Sequence, residues 1–202
     1  MRLTDRRLYL LFTPSLCKTD PWTTLAAALG EGVDFVQWRS KTPDRAGFER
    51  TRELCRSAGV PLVVNDDVML AVRGRVFGAH VGQGDMPAEV AKKILVDRCL
   101  GVSTHEPAQI VAAATAGADY VGFGPCHPTE TKGYQIGKTP AELEAALAAA
   151  AKAQLPLFAI GGITAANLMA LRARGVDRIA VSSAVLGSDE PGAAVRALRK
   201  WL

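Results

Sequence analysis

AGVPLVVND, residues 58–66, holds in nine letters the unit from which the chain is built. A glycine precedes a short apolar run, and the run stops abruptly at Asn65 and Asp66. Glycine takes positive φ without steric cost, which favours it just past a helix end. The β-rich run after it reads as a buried strand. The unit returns as EGVDFVQWR (31–39), GAHVGQGD (78–85), AGADYVGFG (116–124) and RGVDRIAVSS (174–183). Each copy reads as helix stop, tight loop and strand, closing on polar or Gly-rich residues.

The segments between the copies read as helices. Thr42-Pro43 predicts an N-cap and first-turn proline for PDRAGFERTRELCRSA, and Thr139-Pro140-Ala141-Glu142 has the spacing of a capping box. Thr164 is expected to cap AANLMALRAR, Asp67 to cap VMLAV, and Met86 to cap the helix that Pro87 opens. With Leu8–Phe12, Cys99–Val102 and Leu157–Ile160 the count reaches eight candidate strands, each followed by a helix. That alternation predicts an α/β fold with a parallel sheet, and eight units in 202 residues predict a (β/α)8 TIM barrel. A single domain over 1–202 is expected, with a doubly wound open sheet as the alternative that periodicity leaves standing.

Bulk composition narrows the function. Hydrophobic residues make up 49% of the chain, enough for a full core, and charged residues 22%. The net charge is +4, but Arg and Lys are scattered and never interleaved with aromatics, which argues against nucleic acid and suits phosphorylated ligands. Cys17, Cys55, Cys99 and Cys126 form no C-x-x-C and read as reduced thiols of a cytoplasmic protein. No apolar run has the length of a membrane span, so no membrane partner is expected; homo-oligomer formation is compatible with the fold.

In a barrel the C-terminal strand ends share one face, where active sites lie. Strand two finishes Gln37-Trp38-Arg39-Ser40-Lys41, strand three Asn65-Asp66-Asp67, and strand four runs into Gly82-Gln83-Gly84-Asp85. Strand five reaches Ser103, strand six GPCHPTETK, strand seven Gly161-Gly162 and strand eight Ser182-Ser183. Alternation places Gln37, Arg39 and Lys41 on one side, with Trp38 and Ser40 facing the other way or lending backbone. Arg39 and Lys41 offer a forked donor and a point charge suited to a diphosphate, though a solvated strand end would look the same. Asp67 is the expected cap, which leaves Asp66, with Asp85, as carboxylates for Mg²⁺. Gly161-Gly162 and Ser182-Ser183 follow strands seven and eight, the usual phosphate position of barrels. His80, His105 and His127 are too dispersed for a metal site, and Cys126 lacks a base.

QWRSK, NDDVMLA, HVGQGDM, GVSTH, DYVGFGPCHPTETK, AIGGIT and AVSSAV, in this order, resemble the thiamine-phosphate synthase family over nearly the whole chain. The resemblance implies a transferase of thiamine biosynthesis. It would join a hydroxymethylpyrimidine diphosphate to a hydroxyethylthiazole phosphate and release pyrophosphate with Mg²⁺. It implies that Gln37, Trp38, Arg39, Ser40, Lys41, Asn65, Ser103 and Lys132 hold the pyrimidine diphosphate, and that Asp66 and Asp85 hold Mg²⁺. Thr129, Thr131, Gly162, Ser182 and Ser183 would hold the thiazole phosphate, while Arg39 and Lys132 stabilise the leaving group. No general base is then needed, because the thiazole nitrogen already has a lone pair. The chain departs from the pattern at Ser40, where an acidic residue is common, at bulky Trp38, and in a short loop after Lys132. Two alternatives share the fold. A thiazole tautomerase would carry a histidine where this chain has Pro125, and a non-catalytic phosphate-ligand sensor would have no use for both Asp66 and Asp85.

Overall fold

Gly32, Gly59, Gly117 and Gly175 stand at φ of 103°, 67°, 83° and 88°. Each ends a helix as the repeat predicts. Gly78 is different: it lies inside a strand, where a Cβ would run into the Cys99 carbonyl, so it serves close strand approach.

The structure is a computed structural model and describes residues 3–128 and 135–202. Among the described residues the strands are β1 Leu8–Phe12, β2 Phe35–Trp38, β3 Leu62–Asn65, β4 Gly78–Val81, β5 Cys99–Thr104, β6 Tyr120–Phe123, β7 Leu157–Ile160 and β8 Ile179–Val181. All pair in parallel, each with the next, and β8 pairs back onto β1 through Leu8↔Ile179 and Leu10↔Val181. The barrel is closed, which rules out the open sheet. The helices between and after them are α1 Pro21–Gly30, α2 Arg45–Ser57, α3 Val68–Arg73, α4 Ala88–Leu95, α5 Pro107–Thr115, α6 Pro140–Lys152, α7 Leu168–Arg172, α8 Ser183–Leu186 and α9 Pro191–Arg199.

The main core lies between sheet and helices. Outward strand residues such as Leu10, Phe12, Val36, Val64, Leu100 and Val181 pack there with Leu25, Phe48, Leu143 and Leu198 of the helices. A second, inner core fills the barrel with Tyr9, Leu11, Phe35, Val63, Cys99, Tyr120, Phe158 and Ala180. Period-2 alternation sorts the two sets.

Two expected caps hold. Asp67 accepts from Leu70 N at 2.7 Å, and Thr139 with Glu142 forms a reciprocal capping box. Three differ. Asp44, not Thr42, caps α2 by accepting from Gly47 N at 2.8 Å, because the helix begins only at Arg45, past Pro43. Thr164 heads a turn rather than α7: its amide donates to Asn167 Oδ1, and the helix begins only at Leu168. Met86 does not cap α4; Pro87 occupies that position, and the nearby Asp85 carboxylate is turned back onto Gly82 N at 2.7 Å. Strand β5 also runs past Val102 to Thr104.

Candidate active site

The floor of the site is aromatic. Tyr9 stacks on Phe35 with ring centroids 4.3 Å apart, and Tyr120 meets Tyr9 and Phe158 edge-on at 5.8 and 5.6 Å. Such offset and edge contacts suit the ring quadrupole and make a rigid plug. Farther along the strands, the inward positions turn polar: Gln37 on β2, Asn65 on β3, His80 on β4 and Ser103 on β5. The register pairs Asn65 with His80, so these groups form one belt.

The belt is hydrogen-bonded end to end. Arg39 Nη1 donates to Asn65 Oδ1 and to Gln37 Oε1, both at 3.0 Å. Gln37 Nε2 donates to the Tyr9 hydroxyl at 2.6 Å, and that hydroxyl lies 2.8 Å from the Tyr120 hydroxyl. The Tyr120 oxygen is 3.1 Å from His80 Nδ1, and His80 Nε2 is 2.9 Å from Ser103 Oγ. Burial pushes both phenols well above the usual tyrosine range, so each keeps its proton. A buried polar chain of this kind holds its members in place only because every link is made.

Above the belt opens a pocket. Arg39 and Ser103 line it together with Gly124-Pro125, Gly161-Gly162 and Ser182-Ser183, so residues from five of the expected strand ends meet. Gly161 and Gly162 sit at φ of 99° and 60°, and a Cβ on either would strike the 125–128 segment. Asn167 fixes this loop by donating to Gly162 O at 2.8 Å while accepting from Thr164 N. Ser182 Oγ donates to Leu11 O at 3.1 Å, and Ser183 opens α8. First-turn amides of a helix lack intrahelical acceptors, which suits an anion.

Ser40, Lys41 and Asn65 line a neighbouring depression between β2 and β3 rather than the pocket itself. Lys41 is exposed, and Ser40 Oγ donates to Thr42 O at 2.6 Å. The Trp38 side chain points away from the mouth and packs against Phe12 and Phe48 in the outer core. Any contact it makes at the mouth is therefore through backbone. Gln37 is 1% exposed and spends both amide atoms on Tyr9 and Arg39, which places it beneath the pocket as a support.

Asp66 and Asp85 are both exposed and both tied to the end of β4. Asp66 N donates to His80 O at 2.8 Å, and Asp85 accepts from Gly82 N, two residues farther on. Asp66 holds φ of 63°, a conformation that aspartate tolerates better than most residues and that separates it from its capping neighbour Asp67. The two carboxylates thus follow neighbouring strands, β3 and β4, and carboxylates are the ligand type that Mg²⁺ takes one or two of before completing its shell with phosphate oxygens and water. Thr129, Thr131 and Lys132 lie outside the described residues.

Cys126 is buried, and burial pushes its thiol up to about 11, as expected of a structural cysteine. His105 Nδ1 is 2.7 Å from Gly124 O at the pocket wall. Burial lowers the pKa of His127 by disfavouring its charged form. The residues that motif reading misses are Tyr9, Tyr120 and Asn167. Two phenols with inward parity on β1 and β6 are the signal that would find the first pair. A wider hollow at the other end of the barrel, lined by Arg52, Phe77 and Asp97, opens on the face that carries stability rather than chemistry in this fold.

A closed (β/α)8 barrel with a pocket of strand-end polar groups over a sealed floor defines the class: a barrel enzyme built for a small polar ligand. Within that class the chain belongs to the thiamine monophosphate synthase family, whose model matches residues 8–185. It is 43% identical over 206 residues to a thiamine-phosphate synthase of a Synechococcus strain, covering all of this chain and 57% of that relative. It is 38% identical to the thiamine-phosphate synthase of Chloroflexus aurantiacus, covering 98% of this chain and 93% of that one. The chain thus spans little more than half of the first relative and nearly all of the second. The solved thiamine phosphate pyrophosphorylase of Pyrococcus furiosus superposes with a TM-score of 0.85 at 31% identity, over 96% of this chain and 94% of its own.

Proposed function

We propose that this chain is a thiamine-phosphate synthase, a transferase that moves a pyrimidinylmethyl group from a diphosphate to the nitrogen of a thiazole phosphate. The observation that carries the reading is the meeting, in one pocket, of Arg39 and Ser103 with the Gly161-Gly162 and Ser182-Ser183 turns. A cationic fork on one wall and amide-rich turns on the other suit two phosphorylated substrates held face to face.

The chemistry follows from charge. The bond between the pyrimidine methylene carbon and the diphosphate oxygen breaks, its electrons leave with pyrophosphate, and the thiazole lone pair forms the new carbon–nitrogen bond. No proton need move in this step. Arg39 and Lys41 supply positive charge to the departing diphosphate, and Lys132 is assigned the same task from its place in the sequence. Mg²⁺, carried by Asp66 and Asp85, would supply further charge neutralisation on the phosphate oxygens. The aromatic plug closes the barrel beneath the reacting carbon and keeps water from reaching it from below. The amide-rich turns orient the thiazole phosphate so that its nitrogen faces that carbon.

The test is direct. Pyrimidine diphosphate and thiazole phosphate are mixed with the protein, with and without Mg²⁺, and thiamine phosphate and pyrophosphate are measured. Both products form only with the metal. Asp66→Ala stays folded and loses at least about 100-fold in turnover, the scale of removing one transition-state charge partner. Full turnover in Asp66→Ala would remove the metal assignment, and no thiamine phosphate from the wild type would remove the function.

A further inference from the structure

The hydrogen-bonded belt beneath the pocket has a direction. A guanidinium can only donate. Arg39 Nη1 therefore makes Gln37 Oε1 an acceptor, which assigns the amide and turns Gln37 Nε2 toward the Tyr9 hydroxyl. Tyr9 is 1% exposed, and among the described residues the oxygen of Tyr120 is the acceptor available for its proton. Leaving that proton unshared would forfeit a buried hydrogen bond. Tyr120, also buried, then gives its own proton to His80 Nδ1. With Nδ1 accepting, His80 carries its proton on Nε2 and donates it to Ser103 Oγ. The Ser103 oxygen is thereby engaged as an acceptor, and its hydroxyl hydrogen is left to point into the pocket that Ser103 lines.

We infer that the run Arg39–Gln37–Tyr9–Tyr120–His80 makes Ser103 an obligatory hydrogen-bond donor to the ligand, with Tyr120 and His80 as positioning residues. The ligand atom at Ser103 must then be an acceptor, a phosphate oxygen or an unprotonated ring nitrogen. An amino group there would meet a hydrogen instead of a lone pair. Three further features fit. Gln83 Nε2 donates to Ser103 O at 2.7 Å and fixes the backbone that carries the hydroxyl. Gly101, paired with both His80 and Tyr120 across the sheet, leaves the room in which those two side chains meet, and a Cβ there would overlap both. The arrangement also links the two walls of the pocket, since the direction of the whole run originates at Arg39.

The direction of the run is independent of the substrate; the name of the ligand rests on the synthase reading. Two measurements test them separately. In ¹⁵N-histidine NMR of the free wild-type protein, recorded where the ring is neutral, His80 shows the Nε2-protonated tautomer. The Nδ1-protonated tautomer would overturn the inference. Tyr120→Phe removes the donor to Nδ1 and yields a mixture of tautomers. By calorimetry with the pyrimidine diphosphate alone, Tyr120→Phe and Ser103→Ala each weaken binding about tenfold, the scale of one hydrogen bond to a charged group. The double variant binds no worse than Ser103→Ala, because both changes remove the same bond. Additive losses, or undiminished binding by Ser103→Ala, would overturn the donor role. The expected tautomer in a wild-type protein that binds no pyrimidine diphosphate would sink the synthase reading and leave the run intact.

Discussion

Arg39 does two jobs with one group. One nitrogen of its fork is spent on Asn65 and Gln37, and the rest of the guanidinium faces the pocket. Lysine has the charge but not the fork. Arg39→Lys should therefore lower kcat/KM for thiamine phosphate formation by about 100-fold, although net charge is unchanged. The steady-state assay of the proposed reaction checks it. Gly101 is the other decisive position. A methyl group there must displace Tyr120 or His80, and overpacking of a filled interior costs about 1–3 kcal/mol. Gly101→Ala is expected to lower the unfolding free energy measured in urea by that amount and to scramble the His80 tautomer. The carboxylates and the arginine are legible as motif letters. The phenols are not, because nothing local distinguishes a tyrosine in the polar belt from one in an apolar plug.

At the scale of elements, the capping box of α6 is the clearest local device. Thr139 Oγ1 accepts from Glu142 N at 3.3 Å, and Glu142 accepts from Thr139 N at 2.8 Å. Thr139→Ala should cost about 1 kcal/mol in equilibrium unfolding. The hydrogen bonds from Thr139 and Lys138 hold the Glu142 carboxyl down at about 2, from an ordinary 4.5. Its folded-state value is depressed, so its contribution is full above 4.5 and is lost as pH falls toward 2. The stability gap between wild type and Glu142→Gln should accordingly close across that window in acid unfolding curves. The repeat also carries a carboxylate with a shared task. Asp34 accepts from Leu8 N at 3.1 Å and Asp119 from Leu100 N at 2.7 Å, each tying the start of the preceding strand to its own. The pattern G-x-D before a strand is visible in sequence, but its partner is a strand away and cannot be read there.

For the whole molecule, closure is the step that matters. Asp34 lies where the barrel seam and the last helix come together. It also accepts from Arg7 N at 3.1 Å and from Arg199 Nη2 at 2.7 Å, joining β1, β2 and α9 across 165 positions of sequence. Asp34→Ala leaves those donors without their acceptor, and a loss of about 3 kcal/mol is expected. The denaturant midpoint should fall with an unchanged slope, while turnover per folded molecule stays at the wild-type level, since Asp34 sits on the face opposite the pocket.

Glycine stops, strand runs and polar strand ends are local properties, set by φ freedom, side-chain branching and period-2 alternation. They were enough to name the (β/α)8 order and to put Arg39, Ser103, Gly162 and Ser182 on the strand-end face, where the structure brings them to one pocket. Which residues stand at the N-caps was only partly local: Asp67 and Thr139 hold, whereas Asp44, Pro87 and Asn167 take the positions expected of Thr42, Met86 and Thr164 because those three helices begin later, at Arg45, Ala88 and Leu168. Closure of the sheet was decided by pairing β8 with β1, a contact no window of sequence contains. The same pairing brings Tyr9 beside Tyr120, separated by 111 positions, and so creates the polar belt. A hydrogen bond depends on ångströms in space, and only the closed barrel sets those.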